Sequence, residues 1–208
     1  MTGARPKPAG PTADRILDAA QARFFAHGFS HASMDRLASD LGMSKKTLYL
    51  HFRSKDALLE AVMDRFTHRI AVSMDAILAD RSLDFPARTS LLLETLGRHI
   101  ALLDRHFIED MSRQAPQIWK KVEDFRRDRI FSVFGALIRE GAAKGHFRKD
   151  LDPDLILQIY LLSIQNVLNP RILSTLSHSA SQVFEALLSV LFEGMLTDMG
   201  RRRFAVRH

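Results

Sequence analysis

The chain has 208 residues, of which 46% are hydrophobic and 26% charged, with a formal net charge of +6 and no cysteine. That hydrophobic share supports a packed core, and the missing cysteines exclude thiol catalysis, thiolate zinc sites and disulfide redox sensing. Residues 1–55 carry nine Lys/Arg against four Asp/Glu and residues 56–208 twenty-one against twenty, so the positive excess sits near the N-terminus, as attraction to phosphate requires.

The segment MTGARPKPAGPT lacks the apolar stretch of a secretory signal. Residues 1–11, with three prolines, two glycines, Arg5 and Lys7, read as a flexible basic arm. It is either a terminus without a role or an arm reaching a neighbouring DNA groove. Thr12 is placed to cap a first helix, with Asp14 in its first turn, an apolar stripe of Ile16, Leu17, Ala20 and Phe24, and Gly28 just past its end. Phe29 follows as a plug for its base. Met34, Leu37, Ala38 and Leu41 then recur at i, i+3, i+4 and i+7, Gly42 closes that helix, and Ser44 caps another that turns Leu48 and Phe52 inward. Two short helices across a tight glycine turn form the helix-turn-helix pattern, whose second helix lies in the DNA major groove.

Ser54 caps a long fourth helix running through Ala57, Leu58, Ala61, Val62, Phe66, Ile70, Met74 and Ile77. Asp84 and Pro86 open a fifth, leucine-rich from Leu91 to Leu103. Pro116 opens another, in which Ile118, Val122 and Phe125 alternate with a charged run that reads as a solvated face, closed by Gly141 and Gly145. Asp152-Pro153 starts a further helix and Asn169-Pro170 stops it. The last helix is expected from Gln182 to Met199, before Gly200 and the Arg201-Arg202-Arg203 tail. The longest apolar stretch, Leu155 to Leu168, is too short for a bilayer and broken by polar residues, which points to a cytoplasmic protein without a membrane partner. The expectation is an all-α chain of about nine helices. It comprises an arm (1–11), a three-helix DNA-binding head (12–55) and a larger helical body (56–208) joined through the long helix.

Lysines in a helix's first turn oppose the positive end of its dipole. Lys45 and Lys46 do so in the recognition helix and Lys55 in the next. Three such lysines around one helix-turn-helix favour DNA phosphate as the compensating charge. In the last helix Val183, Phe184, Leu187, Leu188, Val190, Leu191, Phe192, Met195 and Leu196 cover more than one face, and the Leu155–Leu168 helix has the same excess, so each needs a second surface to bury against.

The stretch ILDAAQARFFAHGFSHASMDRLASDLGMSKKTLYLHFRSKDALLEAV, residues 16–62, resembles a TetR-family transcriptional regulator; beyond residue 66 the likeness is looser. The resemblance implies that Ser33, Tyr49, His51 and Lys55 hold backbone phosphates. It implies that Ser44, Lys45, Lys46 and Thr47 face the major groove. Of these, Lys46 is expected to contact a base because a lysine can donate to guanine O6 and N7, although many family members carry a small residue at that position. It further implies a homodimer through the last two helices on a palindromic operator, and release by a small effector. Phe107, Met111, Trp119, Phe134 and Tyr160 are candidate walls of the effector pocket, with Gln165 and Asn166 as polar anchors and an apolar or amphipathic ligand expected.

His106 and Asp110 lie four apart on one helical face, with His99 two turns before His106, but a completed ligand set and supporting shell are missing, so neither metal nor cofactor is expected. No GxSxG, HExxH, GxxxxGK[ST] or GxGxxG motif is present, and Glu109-Asp110 and Glu123-Asp124 read as solvated charge, so no enzyme is expected. The alternative is a helical DNA-binding protein of architectural or low-specificity type.

Overall fold

The structure is a computed structural model and describes residues 10–205. Among these residues there are twelve α-helices, one π-helical turn and no strand. Helix α1 (Pro11–His27) starts two residues earlier than the sequence suggests: Gly10, not Thr12, is its N-cap and Pro11 its first helical residue. Proline is suited to that place because its missing N–H would be unpaired there in any case. Ser33 and Ser44 cap α2 (Met34–Asp40) and α3 (Lys45–His51), their hydroxyls accepting from the amides of Arg36 and Thr47. Ser54 caps α4 (Lys55–Ala79) in the same way, through the Ala57 amide. Each such cap contributes about 1 kcal/mol.

The body begins with α5 (Phe85–Ala101), capped by Asp84. A separate α6 (Arg105–Gln114) follows, capped by Asp104, between Leu103 and Pro116, where the sequence reading names no helix. Helix α7 (Pro116–Arg129) passes through a π-helical turn (Ile130–Phe134) into α8 (Gly135–Ala143). Then come α9 (Pro153–Val167), the single turn α10 (Pro170–Leu173) and α11 (Ala180–Met195), which opens with a full capping box of Ser179 and Gln182. The expected final helix to Met199 is in fact broken at Leu196 and Thr197. There Leu196 bridges Phe147 in antiparallel fashion and the Arg148 amide donates to the Met195 carbonyl at 2.8 Å. The chain restarts as α12 (Asp198–Ala205), which contains the arginine run and seats Phe204 against Phe192 and Phe147. Twelve α-helices therefore stand where about nine were expected: Asp104 opens α6 locally, the π-helical turn separates α7 from α8, and the bridge between Leu196 and Phe147 parts α11 from α12.

Two apolar cores result. The head core joins Ile16, Ala20 and Phe24 of α1 to Leu37, Ala38 and Leu48, and is roofed by Leu58, Val62 and Phe66 of α4. Phe107 and Met111 of α6 complete it, with the Phe107 ring 4.9 Å from that of Phe25. A division of the chain at residue 55 thus cuts the sequence but not this core, since α4 and α6 both enter it. The body core is built from α5, α8, α9 and α11 around Leu92, Leu157, Tyr160 and Phe184. Arg65 of α4 binds Asp18 of α1 at 2.8 Å, and Arg129 binds Asp75 through two contacts of 2.9 and 3.1 Å. The long helix is thereby clamped to the head at one end and to α7 at the other. No helix among the described residues is long and apolar enough to cross a membrane.

Candidate functional site

Helix α3 lies on the outside of the head with only Leu48 buried. Ser44, Lys45, Lys46, Tyr49 and His51 are exposed on it and Thr47 is half-buried. These residues, with exposed Ser33 at the start of α2, form one continuous polar surface around the glycine turn, where Gly42 takes φ of 64°. The two serines are already engaged as helix caps, and the Ser44 hydroxyl also lies 2.9 Å from that of Thr47.

The three lysines are not equivalent. Lys46 forms no ion pair or hydrogen bond among the described residues, so its charge stands uncompensated at the helix N-terminus. Lys45 is compensated by Asp35 of α2, 2.5 Å away. Lys55 departs furthest from the expectation. Its ammonium donates to the carbonyls of Ala32 at 2.8 Å and Ser30 at 3.3 Å, and lies 4.2 Å above the Phe29 ring. Burial lowers its pKa, with Asp56 and Asp110 acting in the opposite sense. Lys55 therefore closes the loop between α1 and α2, a compensation that its position in the sequence does not reveal.

That loop is also held from the body. Asp110 of α6 accepts from the Ser30 amide at 2.9 Å and the Ser30 hydroxyl at 2.6 Å. Gly28, at φ of 80°, passes so close that a Cβ would stand 2.6 Å from the carboxylate. Desolvation works to raise the Asp110 pKa, but the Ser30 hydrogen bonds, with His31 and His106 nearby, hold it below the ordinary carboxylate range. Asp110 is thus a structural tie and not the solvated charge expected of it. Among the described residues no group of three or more metal-ligating side chains converges, and His99 uses Nδ1 on the Thr95 carbonyl at 2.7 Å.

Inside the body a cavity of about 130 Å³ is walled by α4 (Phe66, Ile70, Met74), α5 (Leu96, His99, Ile100) and α6 (Ile108, Met111). Helix α7 and the π turn add Trp119, Val122, Arg126, Ile130 and Phe134, and Ile164 and Phe184 close it from α9 and α11. A π turn is wider than an α turn and resets the facing of the residues that follow it. Here both Ile130 and Phe134 reach the wall. Of the seven expected pocket residues, Met111, Trp119 and Phe134 line this space. The other four do not. Phe107 is buried in the head core. Tyr160 stacks behind Phe134 at 5.5 Å, where burial raises its pKa. Gln165 is half-buried away from the cavity, and the Asn166 amide, exposed, donates to the Leu162 carbonyl at 2.8 Å.

Sequence reasoning also misplaced Arg126. Its side chain is only 18% exposed, on the inner face of α7 and not on a solvated one. The signal was available: Trp119, Val122, Arg126 and Ile130 are spaced i, i+3, i+7 and i+11, one side of a helix.

On the outer side of the body, Leu155, Ile159 and Leu162 of α9 are exposed in one row at i, i+4 and i+7, with Asn166 ending it. On α11 the neighbouring row is Val183, Ala186, Leu187, Val190 and Gly194, with Val190 72% exposed.

Residues 16–62 match the model of the bacterial regulatory proteins, tetR family. An uncharacterized HTH-type transcriptional regulator of Bacillus subtilis, YvaF, is 29% identical over 171 residues, 82% of this chain and 88% of that one. A TetR-family regulator from Marinobacter aquaeolei superposes with a TM-score of 0.72 at 21% identity, covering 93% of this chain and 96% of that one. A regulator from Saccharomonospora viridis, solved in complex with choline, gives 0.68 at 23% identity, with 88% and 97% covered. Head geometry, family match and full-length likeness agree: residues 16–62 form a DNA-binding head that matches the tetR family, and the chain is a DNA-binding transcriptional regulator of TetR type.

Proposed function

We propose that the chain is a repressor that binds a palindromic operator as a homodimer and is released when a small, largely apolar molecule enters the body cavity. One observation carries this reading. Phe66 of α4 and Met111 of α6 line the cavity and also belong to the head core. A molecule entering the cavity must move side chains on which the head rests. Because packed cores switch between discrete arrangements more readily than they stretch, a small displacement there becomes a rotation of the head. Helix α4 carries the motion through Arg65 and Asp18 to α1, and α6 carries it through Asp110 to the Ser30 loop. Release follows if the ligand binds the displaced arrangement better than the DNA-bound one. The choline complex of the Saccharomonospora viridis regulator supports a small-molecule site in this fold.

On this reading Lys46 reads a base, with Ser44, Lys45 and Thr47 beside it in the major groove. Ser33, Tyr49 and His51 hold phosphates, while Lys55 acts on them through the loop it closes. Met111, Trp119 and Phe134 contact the effector. The exposed rows of α9 and α11 support the dimer, since two such rows from each subunit pair as a four-helix bundle and double the bases read. A cytoplasmic location accords with access to the operator.

Selection of random duplexes on the purified protein at near-physiological salt tests the reading. Recovery of one palindrome, preferred by about 10³-fold or more over random DNA and lost in Lys46→Ala protein, is expected. Enrichment of no motif, with binding that fades as salt rises, would instead indicate an architectural protein held by phosphate alone.

A further inference from the structure

We infer that the cavity takes an amphipathic anion, an aliphatic or aromatic body whose carboxylate is bound by Arg126. This rests on the cavity being the effector site, and adds the ligand's charge to it. Arg126 stands on the cavity wall in the last turn of α7. Its Nε and Nη2 atoms are shut off from solvent and have no hydrogen-bond partner. The nearest carboxylate, Glu123 one turn back, lies 4.0 Å from Nη2, beyond hydrogen-bond reach. The Trp119 ring, 6.0 Å away, gives only a weak cation–π contact.

The other polar side chains on that wall each already have a partner. Arg129 is paired with Asp75, the Thr67 hydroxyl donates to the Met63 carbonyl at 2.9 Å, and His99 Nδ1 is bonded to Thr95. Arg126 is different because a guanidinium cannot lose its proton at any ordinary pH. A buried, unsatisfied cation is costly, and a planar fork of donors is matched best by a carboxylate, which accepts two parallel bonds from it. The rest of the wall, from Met74 and Ile108 to Phe134, is apolar and fits a hydrocarbon body. At about 130 Å³ the space approaches the roughly 150 Å³ of an apolar cavity that accepts benzene. One ring or a short chain fits; a small inorganic anion would leave the apolar wall unfilled.

Three probes sharing one short chain separate charge from bulk: butyrate, butan-1-ol and butan-1-amine, titrated calorimetrically into the full-length protein. The butyrate is expected to bind at least tenfold more tightly than the alcohol, and the amine most weakly. Arg126→Met is expected to erase the preference for the butyrate while leaving the alcohol bound, and Arg126→Lys to restore part of it. Equal binding of butyrate and alcohol to the unaltered protein overturns the anion assignment but leaves the cavity as effector site, and needs no variant to fold. Failure of all three probes to bind overturns both.

Discussion

The carboxylate of Asp110, on a helix of the body, accepts two hydrogen bonds from Ser30, in the loop that leads into the helix-turn-helix. Eighty residues of chain separate the pair. Asp110→Asn is expected to lower Tm by about 2–4 °C, from roughly 1 kcal/mol for charge-assisted bonds discounted for their exposure. The sign of its pH dependence follows from the depressed folded pKa. The contribution is full above the unfolded value near 3.9 and is lost as pH falls through the lower folded value. The gap in urea midpoint between wild type and Asp110→Asn should therefore narrow below about pH 4. A gap constant down to pH 2.5 would show that the bonds to Ser30 do not depend on the charge.

Lys46 and Lys55 should separate cleanly. Lys46→Ala removes an unpaired exposed charge proposed to read a base, so operator affinity should fall by about 1–3 kcal/mol and sequence preference should relax, with Tm unchanged. Lys55→Met breaks two bonds to loop carbonyls, and about 1–2 kcal/mol of stability should go with them. If Lys55→Met left thermal unfolding untouched and changed only the salt slope, its role would be a direct phosphate contact.

The exposed rows of α9 and α11 can be tested with Leu162→Glu and Val190→Glu. Neither residue is buried within the subunit, so each variant should keep its helical circular dichroism. If the proposed dimer forms there, wild type should sediment as a dimer and each variant as a monomer, with operator affinity reduced at least tenfold. Unchanged sedimentation of both variants would move the interface elsewhere.

Met111→Ala and Ile130→Ala both enlarge the cavity, but only Met111 also supports the head. Each truncation should cost about 2–5 kcal/mol. Ile130→Ala should shift effector affinity alone, whereas Met111→Ala should also weaken ligand-free operator binding. Operator titrations on the two proteins without effector read the difference directly.

The head was legible because its signals are local. Ser33, Ser44 and Ser54 cap helices a few residues away, and Leu37, Ala38 and Leu48 declare their inward faces by spacing. Body signals are less local. Helix α6 is ten residues long and owes its place to Phe107 and Met111 entering a core built by residues 16–66. The break at Leu196 depends on a bridge to Phe147, and the folding back of Lys55 on carbonyls more than twenty positions earlier. Arg126 was hidden for another reason: within the run RRDR composition overrode periodicity, and charge was taken for exposure.

The double duty of Phe66 and Met111 has an evolutionary consequence. A lineage that reshapes this cavity for a different molecule cannot alter those two side chains without also retuning how tightly the regulator grips its operator. Changes of inducer should accumulate first at Ile130, Phe134 and Met74, which touch the cavity and leave the head alone. Phe66 and Met111 should change late and together with compensating substitutions in α1, so that the wall nearest the head records selection on DNA binding and the far wall selection on whatever fills the cavity.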